Sequence, residues 1–154
     1  MSGNVTVTDV KVINLRTVKH VGELEPAWSP GKSMSFEIGG GSFTEVHTDA
    51  GITGIGPGMH PMLLDSVKQY LVGKSAFEIE QHVASLNYHV QYLKYQGIAG
   101  VDIALWDIMG KAANLPLYKL WGGVKDKVIP YAIMVVLSTP EERAEMELAL
   151  RDEG

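Results

Sequence analysis

The carboxylates and the lysine of one apolar segment are the first residues whose chemistry needs an explanation. The segment "VDIALWDIMGKAANLPLYKLWGG", residues 101–123, carries Asp102, Asp107 and Lys111. On a helix Asp102 and Asp107 point about 140° apart, so they cannot converge on one substrate atom. Asp107 and Lys111 are i,i+4 neighbours, a spacing that favours an ion pair. The pattern therefore predicts structural rather than catalytic roles for all three.

Histidines and one glycine-rich stretch offer two further kinds of chemistry, metal binding and phosphate binding. The histidines form no H-x-x-x-H or HExxH pattern, which disfavours a zinc site. The stretch "GITGIGPGMH", residues 51–60, precedes a predicted helix, as phosphate loops do. It lacks the Lys-Ser/Thr pair of a nucleotide-binding loop, and Pro57 removes one backbone N–H. We therefore expect neither a zinc ion nor a nucleotide to bind here. The five histidines are His20, His47, His60, His82 and His89.

A long segment rich in proline, glycine and charge, residues 19–33, is predicted to be an irregular loop. Loops longer than about a dozen residues are more often functional than accidental. Trp28 stands in this segment, and its large apolar face either lines a binding site or packs on its own domain.

Composition limits the classes of protein to which the chain can belong. It has 154 residues, of which 45% are hydrophobic and 20% charged, as in globular proteins. Thirteen basic and 18 acidic residues give a net charge of −5, so we expect no nucleic-acid partner. No cysteine is present, which excludes disulfides and thiolate sites. The N-terminus has no signal-peptide pattern, and no apolar run approaches the ~20 residues of a membrane span. These features predict a cytoplasmic protein without a membrane partner.

Alternating apolar residues predict three neighbouring strands that form an antiparallel sheet. The first runs from residue 5 to about residue 17, and the second covers residues 33–49 with a bulge or bend at the triple glycine 39–41. Residues 50–58 supply a short third strand and a turn.

Three helices are predicted to follow the sheet, because the apolar period changes from two residues to about 3.6. The first covers residues 61–73, and the second covers residues 79–95 after a capping box formed by Ser75 and Glu78. The third, residues 98–112, is apolar on both faces, and such a helix is normally covered on both sides.

The last part of the chain predicts one strand and one helix. Residues 127–137 form a β-branched run typical of a buried strand, and such a strand needs neighbours on both edges. Thr139 and Glu142 form a capping box around Pro140, and Gly154 is placed to end that helix. The predicted fold class is α+β: an antiparallel three-stranded sheet, a helical bundle, and then one β/α unit that is not continued.

A resemblance to a known family covers most of the chain. The segment "GVDIALWDIMGKAANLPLYKLWGG" resembles the signature at the end of the N-terminal capping domain in the enolase superfamily, in the mandelate racemase and muconate lactonizing enzyme branch. "VTDVKVINLRT" is similar to the first strand of that family, and "HTDAGITGIGPG" to the strand and turn before the capping helices. "KVIPYAIM" and "STPEERAEMELALRDEG" resemble the first strand and helix of its barrel.

This resemblance implies a cap of residues 1–123 and the start of a (β/α) barrel at residues 124–154. It implies an enzyme that removes the proton α to a carboxylate and stabilises the enediolate with magnesium, with a lysine or histidine as base. In the family the base and the metal ligands lie on later barrel strands, which would come after Gly154. The resemblance therefore assigns no catalytic residue and no metal ligand here, and predicts that these 154 residues alone are inactive.

Substrate specificity is the property that the resemblance carries to this chain. The family places two cap loops over the barrel mouth, which correspond to residues 19–33 and 56–61, and the end of the first barrel strand near Met134 faces the same site. Histidine and lysine suit the hydroxyls or second carboxylate of an acid sugar, whereas tryptophan and methionine suit an apolar substrate. The candidate substrate contacts are His20, Trp28, Lys32, Met59 and His60.

The expected function is the specificity part of a magnesium-dependent acid-sugar dehydratase that acts on a small-molecule carboxylate. Two alternatives stay open. The first is a racemase, epimerase or cycloisomerase of the same superfamily. The second is a non-catalytic truncated fragment that acts as an assembly module. We also expect homo-oligomers or association with the remaining barrel.

Overall fold

The computed structural model describes residues 4–26, 28–90, 97–125, 127–129 and 139–152. The chain divides into two compact units. The sheet–helix unit comprises Met1–Arg16 with Gly40–Gly123, and the hairpin unit comprises Thr17–Gly39 with Val124–Gly154. The strands are β1 (Val7–Asn14), β2 (Thr17–Leu24), β3 (Met34–Gly39), β4 (Ser42–Thr48) and β5 (Thr53–Pro57). The helices are α1 (Leu64–Leu71), α2 (Ile79–Val90), α3 (Ala99–Ala113), α4 (Leu117–Leu120) and α5 (Pro140–Asp152).

The sheet–helix unit contains an antiparallel sheet in the order β1-β4-β5, as the alternation predicts. Val10 pairs with Val46, and both side chains are fully buried against the helices. Alternate residues of β4, among them Glu45 and His47, lie on the opposite face. The core of the unit is built from α1, α2, α3 and this one face of the sheet.

The triple glycine separates two strands instead of bending one, so the predicted second strand is wrong in this respect. Gly39, Gly40 and Gly41 have φ values of 101°, 78° and 80°, a left-handed conformation that a regular strand does not accept. β3 and β4 therefore belong to different sheets. Part of the predicted loop is also a strand, because residues 17–24 pair with residues 34–39 to form the β2–β3 hairpin.

Helices α1, α2 and α3 confirm the three predicted helices, but the capping box predicted at the start of α2 is not formed. Ser75 Oγ accepts a hydrogen bond from Phe77 N–H at 3.3 Å, and the helix begins only at Ile79. The reason is that the preceding segment pairs with the N-terminal strand, where Ala76 N–H donates to Val5 O at 2.7 Å. Residues 91–95 of this predicted helix lie outside the described residues.

Helix α3 packs on β5 at very short range, and glycine makes this possible. A Cβ atom at Gly54 would lie 2.0 Å from Ala104 O, and one at Gly56 would lie 2.0 Å from Gly100 O. The other face of α3 is less covered than its apolar pattern predicts, since Ile103 is 46% exposed in the described part of the chain.

The hairpin unit also contains α5, whose predicted capping box is confirmed. Thr139 N–H donates to Glu142 Oε2 at 2.8 Å, and Glu142 N–H donates to Thr139 Oγ1 at 3.2 Å.

Residues 130–137 of the predicted strand and the predicted stop at Gly154 lie outside the described residues. The division at residue 123 into cap and barrel stays a prediction. No helix within the described ranges has the length and apolarity needed to cross a membrane.

Candidate functional site

His20 lies on the polar face of the β2–β3 hairpin. It stands opposite Glu37, and its Nδ1 atom lies 3.1 Å from Ser35 Oγ. Both neighbours follow from the alternation of β3, where every second residue is on one face. Sequence reasoning treated His20 as a loop residue and missed Ser35 and Glu37. The alternation in "MSFEI" carries the signal that could have found them.

The end of this hairpin presents Trp28 and Lys32 on a loop ordered by turns. Gly31, with φ of +78°, donates its N–H to Glu25 Oε1 at 2.8 Å, and Lys32 N–H donates to Ser29 O at 3.2 Å. Trp28 is 79% exposed, so its large apolar face is available for contact. Lys32 is exposed as well. This loop therefore offers one aromatic face and one cation.

The second predicted loop follows β5 and carries Met59 and His60. Met59 is buried, with 4% exposure, and belongs to the hydrophobic core. His60 is exposed and caps the 3₁₀ turn Pro61–Leu63, with its Nδ1 atom accepting a hydrogen bond from Met62 N–H at 3.3 Å. Met59 thus anchors the loop from below, and His60 is the member of the pair whose ring reaches the surface.

The five candidate contacts divide between the two units. His20, Trp28 and Lys32 belong to the hairpin unit, whereas Met59 and His60 belong to the sheet–helix unit. Each group is defined within its own unit. Met134, the additional residue expected at the site, lies outside the described residues.

Asp107 and Lys111 form the predicted ion pair, and both also bind the backbone of β5. Lys111 Nζ lies 2.6 Å from Asp107 Oδ2. The same carboxylate accepts a hydrogen bond from Ile55 N–H at 2.8 Å, and Lys111 Nζ donates to Thr53 O at 2.7 Å. Asp102 lies in the first turn of α3, where the helix dipole stabilises a negatively charged side chain. The ion pair predicted for Asp107 and Lys111 is confirmed, and both residues hold α3 to β5. The structural role of Asp102 stays a prediction.

The glycine-rich stretch also has a structural use. Gly54 and Gly56 face the backbone of α3 at distances that leave no room for a side chain. Among the residues that the structure describes, no group of three or more histidine, aspartate or glutamate side chains could hold a metal ion.

Two other polar groups are explained by the fold. His82 is fully buried, with Nε2 2.7 Å from Ser75 O and Nδ1 3.4 Å from Tyr70 Oη, so it joins α2 to the segment before it. Asp9 binds Lys68 at 2.8 Å. The hydrogen bond from Lys68 is the main reason why the pKa of Asp9 lies below its ordinary value.

An apolar groove of about 400 Å³ lies on the sheet–helix unit but does not suit a carboxylate substrate. Its lining contains no charged side chain and none of the five candidate residues. The lining residues are Val5, Ala50, Ile52, Phe77, Met109, Ala112 and Ala113.

Comparison with a family model gives a match over residues 41–122. The model describes the N-terminal domain of mandelate racemase and muconate lactonizing enzyme. The matched range begins just before β4 and ends after α4, so it contains β4, β5 and the α3 segment in which Asp107 and Lys111 stand.

Two curated relatives are sugar-acid dehydratases. The arabinonate dehydratase of Saccharolobus solfataricus is 35% identical over 101 residues, which cover 57% of this chain and 27% of the relative. The D-mannonate dehydratase of Rhizorhabdus wittichii is 39% identical over 101 residues, which cover 56% of this chain and 25% of the relative. The chain therefore spans about a quarter of the length of these relatives.

Solved structures confirm the fold class. A member of the enolase superfamily from Agrobacterium tumefaciens matches with a TM-score of 0.74 and 21% identity, over 99% of this chain and 46% of its own. An enolase from Bradyrhizobium, solved in complex with magnesium and mandelic acid, matches with a TM-score of 0.57 and 22% identity, over 80% of this chain and 36% of its own. At these identities the likeness establishes the α+β fold alone.

Proposed function

Because the chain belongs to the mandelate racemase and muconate lactonizing enzyme family, by its N-terminal domain, we propose that it is the specificity part of an acid-sugar dehydratase. The observation that carries this proposal is the 35% and 39% identity to two sugar-acid dehydratases. The substrate class is a polyhydroxylated carboxylate. The reaction begins with removal of the proton α to the carboxylate.

Magnesium supplies the positive charge that stabilises the enediolate in such a reaction. The residues described here do not form a magnesium site, since they contain no suitable group of three carboxylate or imidazole side chains. We assign the metal ligands and the base to the part of such enzymes that this chain does not match. On this view the 154 residues alone bind a substrate weakly and do not turn it over.

The candidate contacts differ in what they offer to an acid sugar. The imidazoles of His20 and His60 can donate or accept hydrogen bonds, and Lys32 can donate to hydroxyl or carboxylate oxygens. Trp28 offers an apolar face against which the carbon side of a sugar chain can lie. Met59 was also expected to touch the substrate. Its burial supports a role in anchoring the loop beneath His60.

Direct titration of the ¹⁵N-labelled chain with D-mannonate tests the proposal. We expect chemical-shift changes at the candidate residues with a dissociation constant near 10 mM, about −2.7 kcal/mol, because a few exposed hydrogen bonds hold the ligand from one side. Mandelate, which lacks the hydroxylated chain, should cause smaller changes. Equal shifts for both acids, or no shift up to roughly ten times that concentration, would refute acid-sugar recognition.

Matched lysine variants separate specific binding from charge attraction. Lys32→Gln should weaken D-mannonate binding, whereas Lys68→Gln removes an equal charge from α1, outside both candidate loops, and should leave the affinity unchanged. A parallel measurement of α-proton exchange in deuterated buffer should show none. We also propose a cytoplasmic location, and association of this chain with copies of itself or with a barrel domain.

A further inference from the structure

The Asp107–Lys111 pair of α3 does more than join two neighbouring side chains on a helix. Its two charged groups bind two backbone groups of β5, the N–H of Ile55 and the carbonyl oxygen of Thr53. β5 is an edge strand of the sheet, so its outward backbone groups would otherwise face water. The pair therefore fixes the position of β5 along α3.

β5 leads directly into the loop that carries His60. Pro57, the last residue of β5, accepts a hydrogen bond from Thr44 Oγ1 at 2.9 Å. The next residue, Gly58, is so close to Ser42 that a Cβ atom would meet Ser42 Oγ at 1.9 Å. Met59 then enters the core. Because the residues between β5 and His60 are themselves held by these contacts, a shift of β5 is transmitted to His60. We call the hydrogen bonds from Asp107 and Lys111 to β5 the clamp.

We propose that Asp107 and Lys111 are positioning residues that set the place of Met59 and His60. This inference rests on the proposed function only in giving that loop a role in substrate recognition. The clamp explains why an apolar helix keeps an ion pair on the side that meets an edge strand. The proposal also means that the pair influences the position of His60, about five residues after its own contact with Ile55.

The chain offers a closely matched control for this clamp. Asp9 and Lys68 form an ion pair of 2.8 Å with side-chain exposures of 36% and 37%, compared with 2.6 Å, 32% and 45% for Asp107 and Lys111. The control pair joins α1 to β1, which is the opposite edge strand of the same sheet. Removal of the control pair eliminates a similar surface ion pair but changes no contact of β5 or of the loop.

Nuclear magnetic resonance of the ligand-free chain tests the inference. In Asp107→Ala the Ile55 amide should exchange about tenfold faster or more, because its hydrogen-bond acceptor is gone. The Met59 methyl and His60 ring signals should shift at the same time. Lys111→Met keeps the acceptor and should give the same shifts at smaller size. Asp9→Ala should leave the Ile55 amide and both side-chain signals unchanged.

Two results would overturn the inference. In the first, Ile55 exchanges faster but the Met59 and His60 signals stay at their wild-type positions, so the pair protects an edge and positions nothing. In the second, Asp9→Ala shifts those signals as much as Asp107→Ala, so the effect is a general loss of stability. Since no substrate is present, the outcome is independent of whether the chain recognises an acid sugar.

Discussion

Replacement of Gly54 by alanine should be among the most damaging single-methyl additions to this chain. The new Cβ atom would lie 2.0 Å from Ala104 O and 2.7 Å from Ile108 Cγ1. A relaxed carbon–oxygen contact is about 3.3 Å long, so α3 must move away from β5 by roughly 1.3 Å. A gap of about 0.5–1 Å already forfeits about a quarter to a half of the dispersion energy of a contact, and this movement is larger.

The expected loss of stability follows from three contributions. Overpacking of a tight core contact costs up to about 3 kcal/mol. Stretching the hydrogen bonds from Asp107 and Lys111 to β5 adds about 1 kcal/mol. The reduced freedom of the unfolded chain returns about 0.5–1 kcal/mol. The net loss is about 3 kcal/mol, which for a chain of this size lowers the Tm by about 6–12 °C.

Urea unfolding followed by circular dichroism measures this loss, and Gly51→Ala serves as the control. Gly51 lies in the β4–β5 turn with φ of +71° and has nothing within 4 Å of its Cβ position. The Gly51→Ala variant should lose only about 1–2 kcal/mol of stability, which is the cost of placing alanine in a left-handed backbone conformation. Gly56→Ala, whose Cβ would lie 2.0 Å from Gly100 O, should resemble Gly54→Ala. If both strand variants unfold at or above the midpoint of Gly51→Ala, close backbone packing of α3 on β5 is refuted.

Two smaller effects can be measured alongside. The pKa of Asp9 is lowered from 3.8 chiefly by its hydrogen bond to Lys68, so its contribution is present above pH 3.8 and is lost as the pH falls through the lower, folded-state pKa. Since the pair is more than a third exposed, Asp9→Asn should cost about 0.2–1 kcal/mol at pH 7 and flatten the acid limb of a stability–pH curve; an unchanged acid limb would contradict the assignment. Thr139→Ala should lower the helicity of a peptide of residues 139–152, equivalent to about 1 kcal/mol, because it removes the hydroxyl oxygen that accepts the hydrogen bond from Glu142 N–H and leaves only the bond from the backbone N–H of residue 139 to Glu142 Oε2. Equal circular dichroism spectra for the two peptides would show that the box does not stabilise α5.

Much of the sheet–helix unit could be predicted from local patterns. The apolar periods of α1 and α3 and the i,i+4 spacing of Asp107 and Lys111 are determined by residues close in sequence. In the hairpin unit, the same is true of the capping box at Thr139. In each case local geometry alone determines which groups can meet.

Features that depend on distant partners could not be predicted in the same way. The start of α2 is set by pairing between the segment around Ala76 and Val5, about seventy residues earlier, and nothing near Ser75 signals this. The second use of Asp107, as an acceptor for Ile55, depends on a contact across 52 positions. The β2–β3 hairpin was missed because proline and glycine at its end outweighed the weak alternation of its strands.

The candidate site was predicted through family resemblance rather than through physical pattern. Exposed side chains such as His20, Trp28 and Lys32 have no periodicity that separates a ligand contact from an ordinary surface residue. Met59 differs from the other four candidate residues because its side chain is buried, and the sequence "GPGMH" gives no indication of this burial.

The clamp on β5 also restricts how this protein can meet other chains. A foreign β-strand that tried to extend the sheet would need the amide of Ile55 and the carbonyl of Thr53, both of which an ion pair already occupies. Pro57 has no amide hydrogen to offer at the end of the same edge. Fibril growth or strand exchange at this edge must first break two charged hydrogen bonds. The pair that holds β5 to α3 therefore also disfavours addition of a further strand at this edge.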